Sequence, residues 1–265
     1  MDGVKNEASK GRFTMVELSE KQESARQRVC LALDVPTVQK ALDLTAELSD
    51  YIGMVKVGKE LHTAAGNEGA NIIKEIVDRG SDIFLDLKYH DTPNTVYGAA
   101  KAAAVEGVYI FNIHVAGGET MCKKAVEGTH EGAEIQGVPR PGVIGVTVLT
   151  SLSDEDLAVQ GLEVKYTDLV RRRTELAREW GLDGIVCAAN QAGRLEKEFG
   201  SDFLYVTPGI KWHGKRGQGQ KQLYTPDMAV RDCSNSILVI GSAITAADDK
   251  KATACEIVQA MARKL

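Results

Sequence analysis

The chain has 265 residues, 43% of them hydrophobic and 26% charged, which is enough apolar mass for a full core, and α/β barrels of this length commonly form one domain. Its 37 acidic against 32 basic side chains leave a formal charge of −5, excluding the broad basic surface that counterion-driven nucleic-acid binding needs. The five cysteines are scattered, with no C-x-x-C pair, which argues against a disulfide framework and a zinc site; with no apolar run of roughly 18 residues and no hydrophobic leader, a cytoplasmic protein without a membrane partner is expected.

Residues 1–28 read as an N-terminal extension, polar until VELSEKQESARQR, which suits a short helix with little to bury. From Val29 onward one rhythm repeats: a short β-branched apolar run, a turn, then a stretch of helical periodicity. The runs are VCLALDV (29–35), GMVKVG (53–58), DIFLDLK (82–88), VYIFNIHV (108–115), GVIGVTVL (142–149), DGIVCAA (183–189), FLYVTPG (203–209) and SILVIGSA (236–243). Between them lie helical stretches such as VQKALDLTAELSD, GANIIKEIVDRG, NTVYGAAKAAAVEG, GETMCKKAVEG, YTDLVRRRTELAREWG and DDKKATACEIVQAMARK, several opened by Asn, Thr or Asp suited to capping.

Such alternation means parallel strands joined by helical crossovers. Eight units over residues 29–265 predict a single (β/α)8 TIM barrel. An open doubly wound sheet would show a glycine-rich loop after its first strand, whereas this strand ends ALDVPT.

Barrel enzymes build their sites at the C-terminal ends of the strands. Here those ends carry Asp34, Lys56, Asp86 with Lys88, His114, and Thr150 with Ser151; Asp91 follows in the loop after strand 3. Asp86 and Lys88 are two apart, so a regular strand would point both to one face. Lys56 on the neighbouring strand extends them into an array of alternating charge, in which each group favours the charged form of its neighbours. Alone, D-x-K-x-x-D is usually an exposed ion pair; after the apolar IFL, at a barrel rim and beside a second lysine, it reads as functional. Asp34 alone reads equally well as a turn former before Pro36, and His114 as a strand-end histidine bonded to backbone.

No His and carboxylate cluster has metal-ligand spacing, so the sequence does not imply a metal, although Asp-rich barrel mouths can hold Mg2+. Phosphate sites in barrels form from the loops after strands 7 and 8, here VTPGIK ending in Lys211 and VIGSAIT with Gly241 and Ser242. The loop 211–222, with Lys215, Arg216, Gln218 and Gln220, is long for its place and reads as a lid or as a solvated surface loop.

ALDVPT, VKVGKELHTAAG, IFLDLKYHDTPNTV, FNIHVAGG, GVTVLTSL, VTPGIK, GQKQLYTP and VIGSAIT resemble, in order and spacing, the orotidine 5'-monophosphate decarboxylase family from Val29 to the C-terminus. The resemblance implies a homodimeric barrel that converts orotidine 5'-monophosphate to uridine 5'-monophosphate, the last step of de novo pyrimidine nucleotide synthesis, with no cofactor. Lys88 would be the proton donor to C6, Asp86 would press on the departing carboxylate, and Lys56 would orient Asp86 and hold ribose. Asp34 would bind ribose hydroxyls, and Asp91 with Thr92 would reach the partner's site. Thr95 also joins the implied substrate-binding set; Thr150 would contact the base, Gln220 would bridge lid and phosphate, and Lys211, Gly241 and Ser242 would face the phosphate.

Two positions depart from the family pattern: the residue after the strand 8 glycine is normally an arginine gripping phosphate and here is Ser242, and Lys211 stands where relatives carry arginine. Lysine replaces the charge but not the bidentate fork. Compensation by Lys215 or Arg216, an introduced substitution and a shift of ligand would each account for Ser242; the persistence of the charged array places the last of these behind the others. The alternatives are a catalytically silent nucleotide-binding barrel, which would bind uridine monophosphate without turnover, and a related Mg-dependent sugar-phosphate decarboxylase, which EDTA would stop.

Overall fold

A computed structural model describes residues 18–212 and 224–265. Eight parallel strands close into a barrel in sequence order: β1 Val29–Ala32, β2 Met54–Gly58, β3 Asp82–Tyr89, β4 Val108–His114, β5 Gly142–Val146, β6 Gly184–Val186, β7 Leu204–Pro208 and β8 Ser236–Ile240. Seven lie within the runs expected from sequence, β3 runs one residue past its own to Tyr89, and the TIM-barrel expectation holds. The strands are shorter than several of the runs because the last residues of those runs form the loops at the barrel mouth.

The pleat sorts the apolar residues into two shells. Cys30, Ala32, Met54, Phe84, Ile110, Ile144, Val146, Val186, Val206, Ile237 and Val239 fill the barrel, while the odd-numbered neighbours on β1 to β6, such as Leu31, Val55, Leu85 and Phe111, pack outward against the helices. The interior is thus a plugged core whose next inward position on several strands opens on the mouth.

The helices start where local chemistry dictates. Thr37 caps Val38–Leu48, Asn71 caps Ile72–Val77 and Asp249 caps Lys250–Ala262, each side chain accepting a bond from a first-turn backbone N–H. Helix Gly118–Gln136 runs past Gly128, where the sequence pattern was read as its end. At Gly128 and Gly132 an added Cβ would lie 2.3 Å from the carbonyl oxygens of Tyr97 and Lys101, so these glycines let this helix dock against Pro93–Ala103.

Of the expected N-terminal extension, residues 1–17 lie outside the described residues. Helix Glu20–Gln27 carries a capping box at Ser19, buries Ala25 and packs against Lys250–Ala262. Its Arg26 donates to the Ile52 carbonyl at 2.5 Å, tying it to the entry of β2. At the same end of the barrel Arg140 grips Asp183, which also accepts from the Val143 N–H at 2.7 Å. Among the described residues no helix is long and apolar enough to cross a membrane.

Candidate active site

The inward positions that continue the plugged core turn polar at the C-terminal rim. On β1 the series Cys30, Ala32 leads to Asp34; on β2 Met54 leads to Lys56; on β3 Phe84 leads to Asp86; on β4 Ile110 leads to Asn112. Backbone pairing aligns Ala32 with Lys56, and Lys56 with Phe84, so neighbouring strands present these side chains at successive heights.

The result is a chain of alternating charge. Lys56 Nζ donates to Asp34 Oδ1 at 2.8 Å and lies 3.3 Å from Asp86 Oδ2, and Lys88 Nζ donates to Asp86 Oδ1 at 2.5 Å. Asp86 and Lys56 are buried, whereas the Asp34 side chain is 59% exposed at the outer end. Burial alone would push the Lys56 ammonium down, but Asp86 and then Asp34 outweigh it and hold the group above its ordinary value. Gly58 leaves room for this contact, since a Cβ there would sit 2.8 Å from Lys56 Nζ.

Asp86 and Lys88 meet as expected, but not by simple alternation. The β3–β4 register pairs Leu85 with Phe111 and then Tyr89 with Ile113, so Asp86, Leu87 and Lys88 stand opposite Asn112 alone. Lys88 occupies this bulge at φ +49°, the sole non-glycine residue with positive φ among the described residues.

These groups line a cavity of about 490 Å³ at the barrel mouth. Asp34, Lys56, Asp86 and Lys88 share its lining with Lys211, Gly241 and Ser242. The cavity therefore brings together seven of the residues singled out from sequence. Asp91, Thr92 and Thr95 are exposed and do not line it: the Asp91 carboxylate accepts from the Thr92 N–H at 2.6 Å, and the two threonine hydroxyls are 3.0 Å apart. Within one chain the second carboxylate of the array is therefore Asp34. Thr150 is exposed in the turn after β5, also off the cavity wall. Gln220, with Lys215, Arg216 and Gln218, lies outside the described residues.

Two cavity-region residues escaped the sequence reading. Lys59 lines the wall directly after Gly58, where a barrel strand delivers functional groups. Asn112 is fully buried, donates to Asp86 Oδ1 at 2.7 Å and accepts from the Lys88 N–H at 2.7 Å. An amide inside the apolar run VYIFNIHV, two positions beyond an inward isoleucine, was the available signal. His114 stacks on His90 with ring centroids 5.2 Å apart; burial first, then His90 and nearby cations, push it down to about 4, so its ring is neutral near pH 7.

Among the described residues no three His, Cys, Asp or Glu side chains converge as a metal-binding group. What the geometry offers is an ammonium held against a carboxylate at the floor of a cavity, with a further cation, Lys211, in its lining. The known proteins that share this chain's pattern are consistent in kind. The family model described as Orotidine 5'-phosphate decarboxylase / HUMPS family matches residues 27–257. An orotidine 5'-phosphate decarboxylase of Moorella thermoacetica is 42% identical over 231 residues, covering 87% of this chain and 90% of its own length. One of Saccharophagus degradans is 39% identical over 236 residues, covering 89% and 95%. The crystal structure of the Lactobacillus acidophilus orotidine 5'-phosphate decarboxylase superposes with a TM-score of 0.75 at 35% identity, over 88% of this chain and 98% of that one. A match spanning the barrel from β1 to the last helix leaves one assignment: the chain belongs to the orotidine 5'-phosphate decarboxylase / HUMPS family.

Proposed function

We propose that this protein is a carboxy-lyase that removes CO2 from C6 of orotidine 5'-monophosphate to give uridine 5'-monophosphate, the last step of de novo pyrimidine nucleotide synthesis. The observation that carries the reading is the unbroken Asp34–Lys56–Asp86–Lys88 chain on the cavity floor, set in a barrel whose relatives at about 40% identity bear that name.

Breaking the C6–carboxylate bond leaves its electron pair on C6, where the pyrimidine ring cannot delocalise it. The protein must therefore supply a fixed cation beside the forming carbanion and a proton once CO2 departs. Lys88 does both: its ammonium stands beside the developing charge before substrate arrives, and Nζ passes a proton to C6. The Asp86 carboxylate faces the substrate carboxylate, a repulsion that loss of CO2 relieves, and Lys56 holds Asp86 in place while reaching ribose. Asp34 takes the ribose hydroxyls at the exposed end of the chain.

Enzymes lower barriers by about 8 to 23 kcal/mol, and an unstabilised carbanion calls for the upper part of that range, so binding energy from remote groups must contribute. The phosphate falls to Lys211, to the backbone at Gly241, to Ser242 and to Gln220, and the base to Thr150. Asp91, Thr92 and Thr95, exposed beside the rim, serve the site of a second copy in a homodimer. No metal or other cofactor takes part, and the protein works in the cytoplasm.

Loss of orotate absorbance on adding orotidine 5'-monophosphate tests the reading. Turnover is expected, unaffected by EDTA, and abolished in Lys88→Ala, while uridine 5'-monophosphate still binds. Product binding without any turnover by the unmodified protein would instead identify a silent nucleotide-binding barrel. The shared site has its own check: mixing Lys88→Ala with Asp91→Ala protomers should restore about a quarter of the unmodified rate on statistical exchange. No recovery would refute a site completed across the dimer.

A further inference from the structure

Asn112 touches neither the cavity's open space nor solvent, yet it holds both partners of the Asp86–Lys88 pair. Where β3 bulges, Lys88 loses a regular ladder partner on β4, and the Asn112 side chain takes that place: its Oδ1 accepts the Lys88 backbone N–H at 2.7 Å. Its Nδ2 donates to Asp86 Oδ1 at 2.7 Å, the same oxygen that receives Lys88 Nζ at 2.5 Å. The partners fix the amide's orientation, because a carboxylate only accepts and a backbone N–H only donates.

We propose that Asn112 is the positioning residue of this site, using one amide to pin the Asp86 carboxylate and the left-handed backbone of Lys88 so that the ammonium is aimed before substrate binds. The inference rests on the decarboxylase reading above. Three features support it. Lys88 alone among the described non-glycine residues has positive φ, a conformation costing of order 1 kcal/mol that needs an external hold. The hold must be both donor and acceptor, which aliphatic residues and an ionised aspartate cannot supply. Asn112 also takes the next inward position of β4 beyond Ile110, as Asp86 does on β3 beyond Phe84, so its role is built into the barrel's stride.

Because Asn112 acts through Asp86 and Lys88, its loss should appear in the chemical step and not in substrate affinity. Asn112→Ala is expected to lower kcat about tenfold to a hundredfold, the range for removing a hydrogen bond to a charged group, with KM shifted less than about threefold. Affinity for uridine 5'-monophosphate should stay within the same limit. The isosteric Asn112→Asp guards against a folding defect and gives a signature that mere packing would not. The introduced carboxyl faces Asp86 and Lys88 from β3 and Lys56 from β2, with His114 farther along its own strand; burial and the Asp86 charge raise its pKa. Ionised, it repels Asp86; protonated, it donates to Asp86 while still accepting from the Lys88 N–H. The ratio of its kcat to that of the unmodified protein should therefore rise as pH falls through that raised pKa.

A folded Asn112→Ala with kcat within about twofold of the unmodified protein, a loss confined to KM, or an Asn112→Asp ratio that stays flat or falls with acidification would each overturn the proposal. Absence of turnover by the unmodified protein would count against the decarboxylase reading instead, so the two failures are distinguishable.

Discussion

The two halves of the barrel rim carry different cargo on the same architecture. Following the inward positions upward, β1 to β4 end in Asp34, Lys56, Asp86 and Asn112, whereas β5 to β8 end in Val146, Val186, Pro208 and Gly241. On the first half, polar side chains bond one another across strands. On the second, buried hydroxyls such as Thr147 and Thr207 bond the neighbouring strand's carbonyls, and the cavity wall offers backbone, apolar surface, Ser242 and Lys211. On the proposed reading the contrast separates bond breaking from grip: one wall serves a charge that exists only during the reaction, the other an anion the substrate carries throughout.

Three substitutions sharpen or break that division. The largest effect is expected below the rim, at Phe84, the β3 residue aligned with Lys56 and 2% exposed within the barrel plug. Phe84→Ala should cost about 3–5 kcal/mol of unfolding free energy, read by denaturant titration; a cost below 1 kcal/mol would mean the plug does not hold the rim. Next comes its neighbour Lys56. Lys56→Met should cut kcat/KM by about 10²- to 10³-fold yet change stability less than Phe84→Ala, because Asp86 keeps Lys88 and Asn112 as partners. If the order of these two stability effects reversed, the rim would be a structural network first and a reactive one second. The smallest effect belongs to the other half. Ser242→Arg should lower KM for orotidine 5'-monophosphate by about tenfold to somewhat over a hundredfold, the worth of one charge-assisted bond to phosphate. An unchanged kcat/KM would show that the grip is already complete without it.

The same contrast explains what the sequence revealed. The strands were legible because short β-branched apolar runs alternating with helical stretches admit little else, and Asp34, Lys56, Asp86 and Lys88 because charges toward the C-terminal ends of such runs in a barrel stand at the mouth. Asn112 followed the same stride, but an uncharged amide within an apolar run is a weaker signal than a charge, because it reads as readily as a satisfied core residue. The bulge that re-aims Lys88 left no mark, since a lysine with positive φ is fixed by tertiary bonds and not by its own preference. Asp91 stood out with the D-x-K-x-x-D spacing and Thr92 and Thr95 only through the family motifs; all three are exposed in one chain. The helix Gly118–Gln136 is longer than the stretch GETMCKKAVEG legible in the sequence, and within it Gly128 and Gly132 serve a close approach.

That glycine seam has leverage beyond its own neighbourhood. Helix Pro93–Ala103, which leans on it, begins immediately after Asp91 and Thr92, and its far flank is fixed by the depth to which Gly128 and Gly132 let it sink. A single methyl group at either glycine would have to lift the helix off its bed, and the strand-3 loop, hinged to the helix's first turn, would swing with it. On the proposed reading, a methyl group on the barrel's outer wall would thereby be felt at the Asp91 and Thr92 side chains assigned to a second copy's site.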